Sequence, residues 1–206
     1  MKFLKLMPLL LLLFAAKTNA QRGQVKLDIN YSYALPMGSF KTDVINKSSP
    51  RGVSADLLFG ISNQFSAGLG LGFQDFYQKY PRNLYKTGDN ETTSAVLSNS
   101  VQITPLLAKA EFDPLGNNRG SIQPYITGGV GVGIISFTQY LGEFGGADNS
   151  AGLMVQGGAG LKIPFTSIGN SGFKIGANYN MVSYNKNGFN NLNNLNFQAG
   201  LYFPLR

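Results

Sequence analysis

The sequence predicts an all-β protein, an eight-stranded antiparallel up-and-down transmembrane β-barrel, on three observations. Eight segments alternate apolar and polar residues at period two. The connections between them alternate between long polar loops and shorter turns, as in a barrel whose two rims differ. The polar face is rich in glycine instead of the Lys, Glu, Thr and Ser that a wetted strand surface favours.

The chain opens on a processing segment. Lys2 and Lys5 precede an apolar stretch over 6–16, and Thr18-Asn19-Ala20 gives a small-residue exit. About 11 apolar residues suit a signal-peptide core, whereas a membrane-spanning helix needs roughly 20. Residues 1–20 are therefore expected to be a signal peptide cleaved near Ala20/Gln21, and 21–206 a single barrel domain. Removing Lys2, Lys5 and Lys17 lowers the formal charge from +7 to +4, spread along the chain with no nucleic-acid footprint.

The first strand places Val25, Leu27, Ile29, Tyr31, Tyr33 and Leu35 on one face, against Lys26, Asp28, Asn30, Ser32 and Ala34. The second sets Val53, Ala55, Leu57 and Phe59 against Ser54, Asp56 and Leu58, and the third sets Phe65, Ala67, Leu69, Leu71 and Phe73 against Ser66, Gly68, Gly70 and Gly72. The fourth, over 95–112, has Leu106, Ala108, Ala110 and Phe112 on the apolar face and Lys109 and Glu111 on the other. Val101 and Ile103 sit on the wrong parity for that phase, so a bulge is expected at Pro105.

The fifth strand, over 123–137, sets Ile126, Val130, Val132 and Ile134 against Tyr125, Thr127 and three alternate glycines. The sixth sets Leu153, Val155, Ala159, Leu161 and Ile163 against Gln156 and Lys162; the seventh sets Phe173, Ile175, Ala177 and Met181 against Lys174 and Asn178. The eighth places Phe197, Ala199, Leu201, Phe203 and Leu205 on one face. An even count lets the chain begin and end on one rim. Long polar connections are expected at 36–51, 78–94, 139–150 and 185–193, and shorter ones at 62–64, 113–121 and 166–171.

Alternation alone does not say which face is outside. Inside a narrow eight-stranded cylinder glycine makes room for long neighbouring side chains, and the Val, Leu, Ile and Phe face suits hydrocarbon. Lys26, Asp28, Asp56, Lys109, Glu111, Lys162 and Lys174 then point into the lumen, where they form either a candidate gate or a charge-paired filling that holds the barrel shut. Asp28 and Asp56 form the carboxylate pair of interest, for which a salt bridge beside Lys26 outweighs acid–base work. Phe73, Phe76, Tyr77, Phe137, Tyr140, Phe165, Tyr184 and Phe203 lie near segment ends, where interfacial girdles sit.

With no His and no Cys, Ser-His-Asp hydrolysis, thiol chemistry and most zinc sites lack their residues, and no enzyme activity, cofactor or metal is expected. GGVGVG and GLGLG do not satisfy GxGxxG and open no helix, so they read as lumen glycines. Asp89, Glu91, Glu143 and Asp148 lack calcium-loop spacing and read as rim charges, and the Asn-rich 185–196 run reads as a polar hairpin loop.

The export segment, the eight strands and the C-terminus together resemble the small outer-membrane β-barrel family of Gram-negative bacteria, which includes the OmpA transmembrane domain and the OmpX- and OmpW-type proteins. Its most specific mark is a terminal pattern of polar, any, Gly, any, any, aromatic, any, hydrophobic, matched by Gln198, Gly200, Phe203 and Leu205. Arg206 stands one residue beyond, where the family usually stops on an aromatic. The resemblance implies an outer-membrane lipid environment and a closing strand that the barrel-assembly machinery reads. It leaves three roles open: a structural or surface-interaction barrel acting through loops 36–51 and 78–94, a small porin-like channel for small or apolar solutes, and an accessory barrel of a secretion system.

Overall fold

The computed structural model describes residues 24–86, 92–116, 122–142, 144–165, 171–186 and 189–205. The expected signal peptide, the loop acids Asp89, Glu91 and Glu143, and Arg206 lie outside the described residues. Eight long strands follow one another: β1 (Val25–Pro36), β2 (Ser49–Gly60), β3 (Phe65–Lys79), β4 (Leu97–Phe112), β5 (Gln123–Leu141), β6 (Phe144–Pro164), β7 (Gly172–Val182) and β8 (Asn194–Leu205). Each pairs antiparallel with its chain neighbours, and β8 returns to β1, so the sheet closes. The closing ladder runs from Val25 opposite Leu205 to Pro36 opposite Asn194.

Closure removes the free edges that an open sheet would present. It also fixes which face is which. Ile29, Val53, Leu69, Leu71, Val130, Ile134 and Leu153 are all exposed on the outer wall, while Asp28, Asp56, Lys109, Glu111, Lys162 and Lys174 are buried inside. So extensive an apolar exterior belongs to a membrane, where hydrocarbon covers it.

Two expectations about β4 and its neighbours are corrected. Val101, Ile103, Leu107, Lys109 and Glu111 share one inward parity without interruption, so there is no phase change at Pro105. The β3–β4 offset is the same at Leu71 opposite Leu106 and at Gln74 opposite Ile103, which leaves Gly72 and Phe73 unpaired between them. Pro105 has no N–H to give, so it opens a gap in this ladder and not a bulge. A register shift does occur between Ser32 and Ala34 on the β1–β2 side.

The segment 139–150 is not a loop. β5 and β6 stay paired as far as Leu141 opposite Phe144, with Gly142 in the turn at φ +65°. A left-handed turn residue allows the tight reversal, and the alternation carried both strands past the length a bilayer needs, about 9–11 residues. Short hairpins also sit within the other long connections, at Asn83–Lys86 with Thr92–Ala95 and at Asn185–Lys186 with Phe189–Asn190. The Asn-rich run divides, because β8 begins at Asn194 and turns Asn194 and Asn196 into the lumen.

The lumen is tiered. Charged residues fill the end with the shorter turns, amides and hydroxyls the middle, and apolar side chains the end with the longer connections. That last tier departs from the expected polar interior. Phe76, Val101, Ile103, Ile135, Phe137, Met154 and Val182 project inward there, and the β1–β2 connection covers them with Phe40, Val44 and Ile45. A π-helical turn, Phe40–Val44, brings these residues in, and Phe40 meets Phe76 edge to face at 4.9 Å. Tyr80 and Asn99 both donate to the Val44 carbonyl, at 2.8 and 3.1 Å. Phe76, Phe137 and Tyr184 consequently belong to this plug and not to an interfacial girdle, whereas Phe73, Tyr77, Tyr140 and Phe165 face outward as expected.

Candidate functional site

The lumen charges start from the alternation of six strands, which sends one or two ionisable residues inward from each of β1, β2, β4, β6 and β7 and an aromatic ring from β5. Lys174 on β7 reaches across the barrel to Asp28 on β1 and to Glu111 on β4, at 2.5 Å from the latter. Lys162 on β6 pairs with the other Glu111 oxygen at 2.6 Å and with Asp113 at 2.7 Å. Asp28, Lys174, Glu111, Lys162 and Asp113 thus make one alternating chain of charge. The Tyr125 ring lies beside both ammonium groups, 4.4 Å from Lys174 and 5.4 Å from Lys162.

A second pair stands further along the lumen, Lys109 to Asp56 at 2.6 Å. Lys26 is half-buried and makes no ion pair among the described residues, though it feels Lys162, Asp113, Glu111 and Asp28. Counting it, four lysines face four carboxylates: Lys26, Lys109, Lys162 and Lys174 against Asp28, Asp56, Glu111 and Asp113. The balance is what makes so many charges tolerable away from water, because each unpaired ion would cost several kcal/mol.

The glycines explain how these side chains fit. A Cβ on Gly70 would run into Lys109 Cδ and lie 2.5 Å from Asp56 Oδ1. On Gly160 it would lie 2.6 Å from the Tyr125 hydroxyl, and on Gly176 closer still. Bare backbone opposite long side chains is how a narrow barrel fills itself.

The structure brings together six of the seven expected lumen charges and corrects one pairing: Asp28 is held by Lys174 across the barrel, not by neighbouring Lys26. It adds Asp113, which the sequence reading placed in a turn. Its odd-numbered parity, continuing Lys109 and Glu111, was the available signal. The terminal set does not converge on one place. Gln198 and Gly200 face inward opposite Ser32 and Asn30, while Phe203 and Leu205 lie on the outer face opposite Leu27 and Val25. Asp148 is a rim charge paired with Lys186 at 3.3 Å. Among the described residues no group of three or more His, Cys, Asp or Glu could hold a metal ion.

The family described as outer membrane protein beta-barrel domain matches residues 6–203. This chain belongs to that family. Membership places the barrel in the outer membrane of a Gram-negative-type bacterium. No curated protein matches the chain. Similar solved structures include a major outer membrane protein from Thermus thermophilus, at 12% identity and TM-score 0.51, covering 88% of this chain and 99% of that one. They also include the attachment invasion locus protein Ail of Yersinia pestis, at 12% identity and TM-score 0.49, covering 88% and 97%. Neisserial surface protein A aligns at 17% identity and TM-score 0.44, covering 91% and 100%.

For this outer-membrane barrel, the charge chain can act chemically as a cross-brace. It ties β1, β4, β6 and β7 through the lumen, independently of the backbone ladders. Each of its members is ion-paired with another.

Proposed function

We propose that this protein is a filled, ion-tight, non-enzymatic barrel of the outer membrane that acts as a structural or surface-interaction protein through its long-loop end. The observation that carries the reading is closure at both ends of the lumen. The buried Phe40, Phe76 and Ile135 plug supports a seal at one end, and the Asp28–Lys174–Glu111–Lys162–Asp113 chain supports one at the other. Within loops 36–51 and 78–94 the exposed Lys41, Asp43, Lys47 and Arg82 are the groups offered to surface partners. In the same reading the 1–20 segment is a cleaved export signal, and the barrel-assembly machinery reads Gln198, Gly200, Phe203 and Leu205.

The test is single-channel recording on refolded protein shown to be inserted in a planar bilayer, together with binding of whole cells to host or neighbouring-cell surfaces. A silent bilayer and binding lost on replacement of the loop tips are expected. Regular conductance steps, or binding retained without the tips, would overturn the reading.

A second reading, passage of small apolar solutes through a lateral gap, is favoured by one observation. Gly72 and Phe73, paired with β2 but skipped in the ladder to β4, border a cavity lined both by lumen residues such as Gln74 and Gln156 and by lipid-facing Val53, Leu71 and Phe73. Gly72→Val would set a Cβ 3.0 Å from the Pro105 ring and narrow that gap. Uptake of an apolar tracer unchanged by this substitution would remove the second reading.

A further inference from the structure

The two ladders of β6 are of unequal length. Against β5 it is paired without a register break from Lys162 opposite Gln123 to Phe144 opposite Leu141. Against β7 the ladder stops at Met154 opposite Val182, and beyond it the Ser183 N–H reaches the Leu153 carbonyl at 2.9 Å. Over Phe144–Gly152 the strand has no ladder partner on its β7 side among the described residues. β3, β4 and β5 stay paired to the same height, with Lys79 opposite Ser98 and Leu97 opposite Leu141. A sheet therefore stands beyond the end of β7, with β6 as its free edge.

Parity decides which groups that edge offers. The Leu153 carbonyl points toward β7, and backbone groups alternate sides along a strand. The N–H and C=O groups of Gly145, Ala147, Asn149 and Ala151 thus point the same way, and all four residues are exposed. Lys186 Nζ confirms the direction by donating to the Asn149 carbonyl at 3.4 Å. Sheet edges are ordinarily blunted by proline, lysine or a bulge. Residues 144–152 contain none of these, and their single charge, Asp148, is already paired with Lys186.

A cleft of about 370 Å³ adjoins the edge, bounded by Gly146, Ala147 and Asp148 of β6, Phe137 and Gln139 of β5, and Phe189 of the β7–β8 connection. One water needs about 10–15 Å³, so a bulky side chain has room. Gly146 keeps the cleft open, since a Cβ there would meet nothing within 4 Å. The rings of Phe137 and Phe189, 5.9 Å apart, give it an apolar wall. Main-chain pairing on an edge, with a pocket for an alternate side chain, is how an added strand is recognised.

We propose that β6 over Gly145–Ala151 accepts an extended segment of another polypeptide as an added strand, with one bulky apolar side chain seated in the cleft against Phe189. The proposal rests on the reading of the long-loop end as the contact surface, but places the contact apart from loops 36–51 and 78–94. A second copy of this chain fits poorly. Its own edge would bring Gly146, Asp148 and Ser150 to that face, leaving the cleft unfilled and adding a second carboxylate beside Asp148.

The test titrates the refolded full barrel in lipid nanodiscs with fluorescent six-residue Thr/Val peptides carrying one Phe at each position in turn. Saturable binding of at least one peptide is expected, with exchange of the Ala147 and Asn149 amides slowed at least tenfold. Methylating alternate amide nitrogens of that peptide should weaken binding at least tenfold. Ala147→Pro, which removes an N–H that faces away from β5, should do the same. Phe189→Ala should abolish the preference for one Phe position. No saturable binding, or equal binding of the methylated peptide, overturns the proposal whether or not the variants fold, and leaves the bilayer and loop-tip results to judge the surface-contact reading by themselves. Barrel dimers in place of peptide binding, lost in Ala147→Pro, overturn it in favour of a second copy.

Discussion

Asp28 and Asp56 stand directly opposite each other on β1 and β2, yet each turns to a different lysine. Asp28 is held by Lys174 from the far side of the lumen, and Asp56 by Lys109 from β4. Like charges directly opposite on paired strands repel. The two lysines convert that conflict into two cross-lumen braces, so the pairing of β1 with β2 depends on residues more than 50 positions away in sequence.

The Lys109–Asp56 pair therefore has a distinctive mutational signature. Lys109→Met leaves the Asp56 carboxylate buried and unpaired, which should cost about 3–5 kcal/mol. Lys109→Met combined with Asp56→Leu removes both charges and should recover most of that loss. Urea unfolding in lipid vesicles, run as a double-mutant cycle, measures the coupling. Additive losses would show that the two residues do not act as a pair.

The lumen glycines divide sharply by position. Gly70→Ala drives a Cβ into Lys109 and Asp56, and displacing that pair should destabilise the barrel by about 1–3 kcal/mol. Gly157→Ala meets nothing within 4 Å on the outer face and should be neutral or slightly stabilising. Equal effects in parallel vesicle-unfolding measurements would contradict the filling role assigned to inward glycine.

The plug makes a separate prediction about the β1–β2 connection. Phe40 is fully buried against Phe76, so Phe40→Ala should cost about 3–5 kcal/mol, as a large core truncation does. Lys41→Ala, one residue on but exposed, should stay within about 0.5 kcal/mol. Phe40→Ala should also make trypsin cleavage at Lys41 faster. Cleavage at the wild-type rate would mean that the loop does not depend on its apolar anchor.

The strand faces were legible because a barrel wall imposes one rule, period two, on every residue it contains. The inward set of Asp28, Lys109, Glu111, Lys162 and Lys174 followed from that rule alone. Partner choice did not follow, because Asp28 and Lys174 meet across a lumen whose shape only closure defines. The plug was missed for a related reason. Val101 and Ile103 looked out of phase only under the assumption that inward residues are polar, whereas their parity was correct and their apolar character marked where Phe40 and Val44 come in. Gly142 hid the long β5–β6 hairpin, since a polar, glycine-containing stretch reads as a loop until the pairing of Leu141 with Phe144 shows how tight the turn is.

Pro105 carries the last prediction. On its β5 side it stays in register opposite Gly133, while on its β3 side Gly72 and Phe73 are skipped. The missing N–H is therefore the one that would have faced β3, and the gap is a property of this residue and not of the strand's path. Pro105→Ala restores the donor without changing the unbroken β3–β4 offset, so the ladder should close. The restored amide at position 105, donating to the Gly72 carbonyl, should exchange at least tenfold more slowly than an unbonded amide, and the barrel should gain about 0.5–1.5 kcal/mol, the net worth of a typical backbone hydrogen bond. If that amide exchanges as fast as an unbonded one, the seam is held open by something other than the missing donor, and Pro105 merely occupies it.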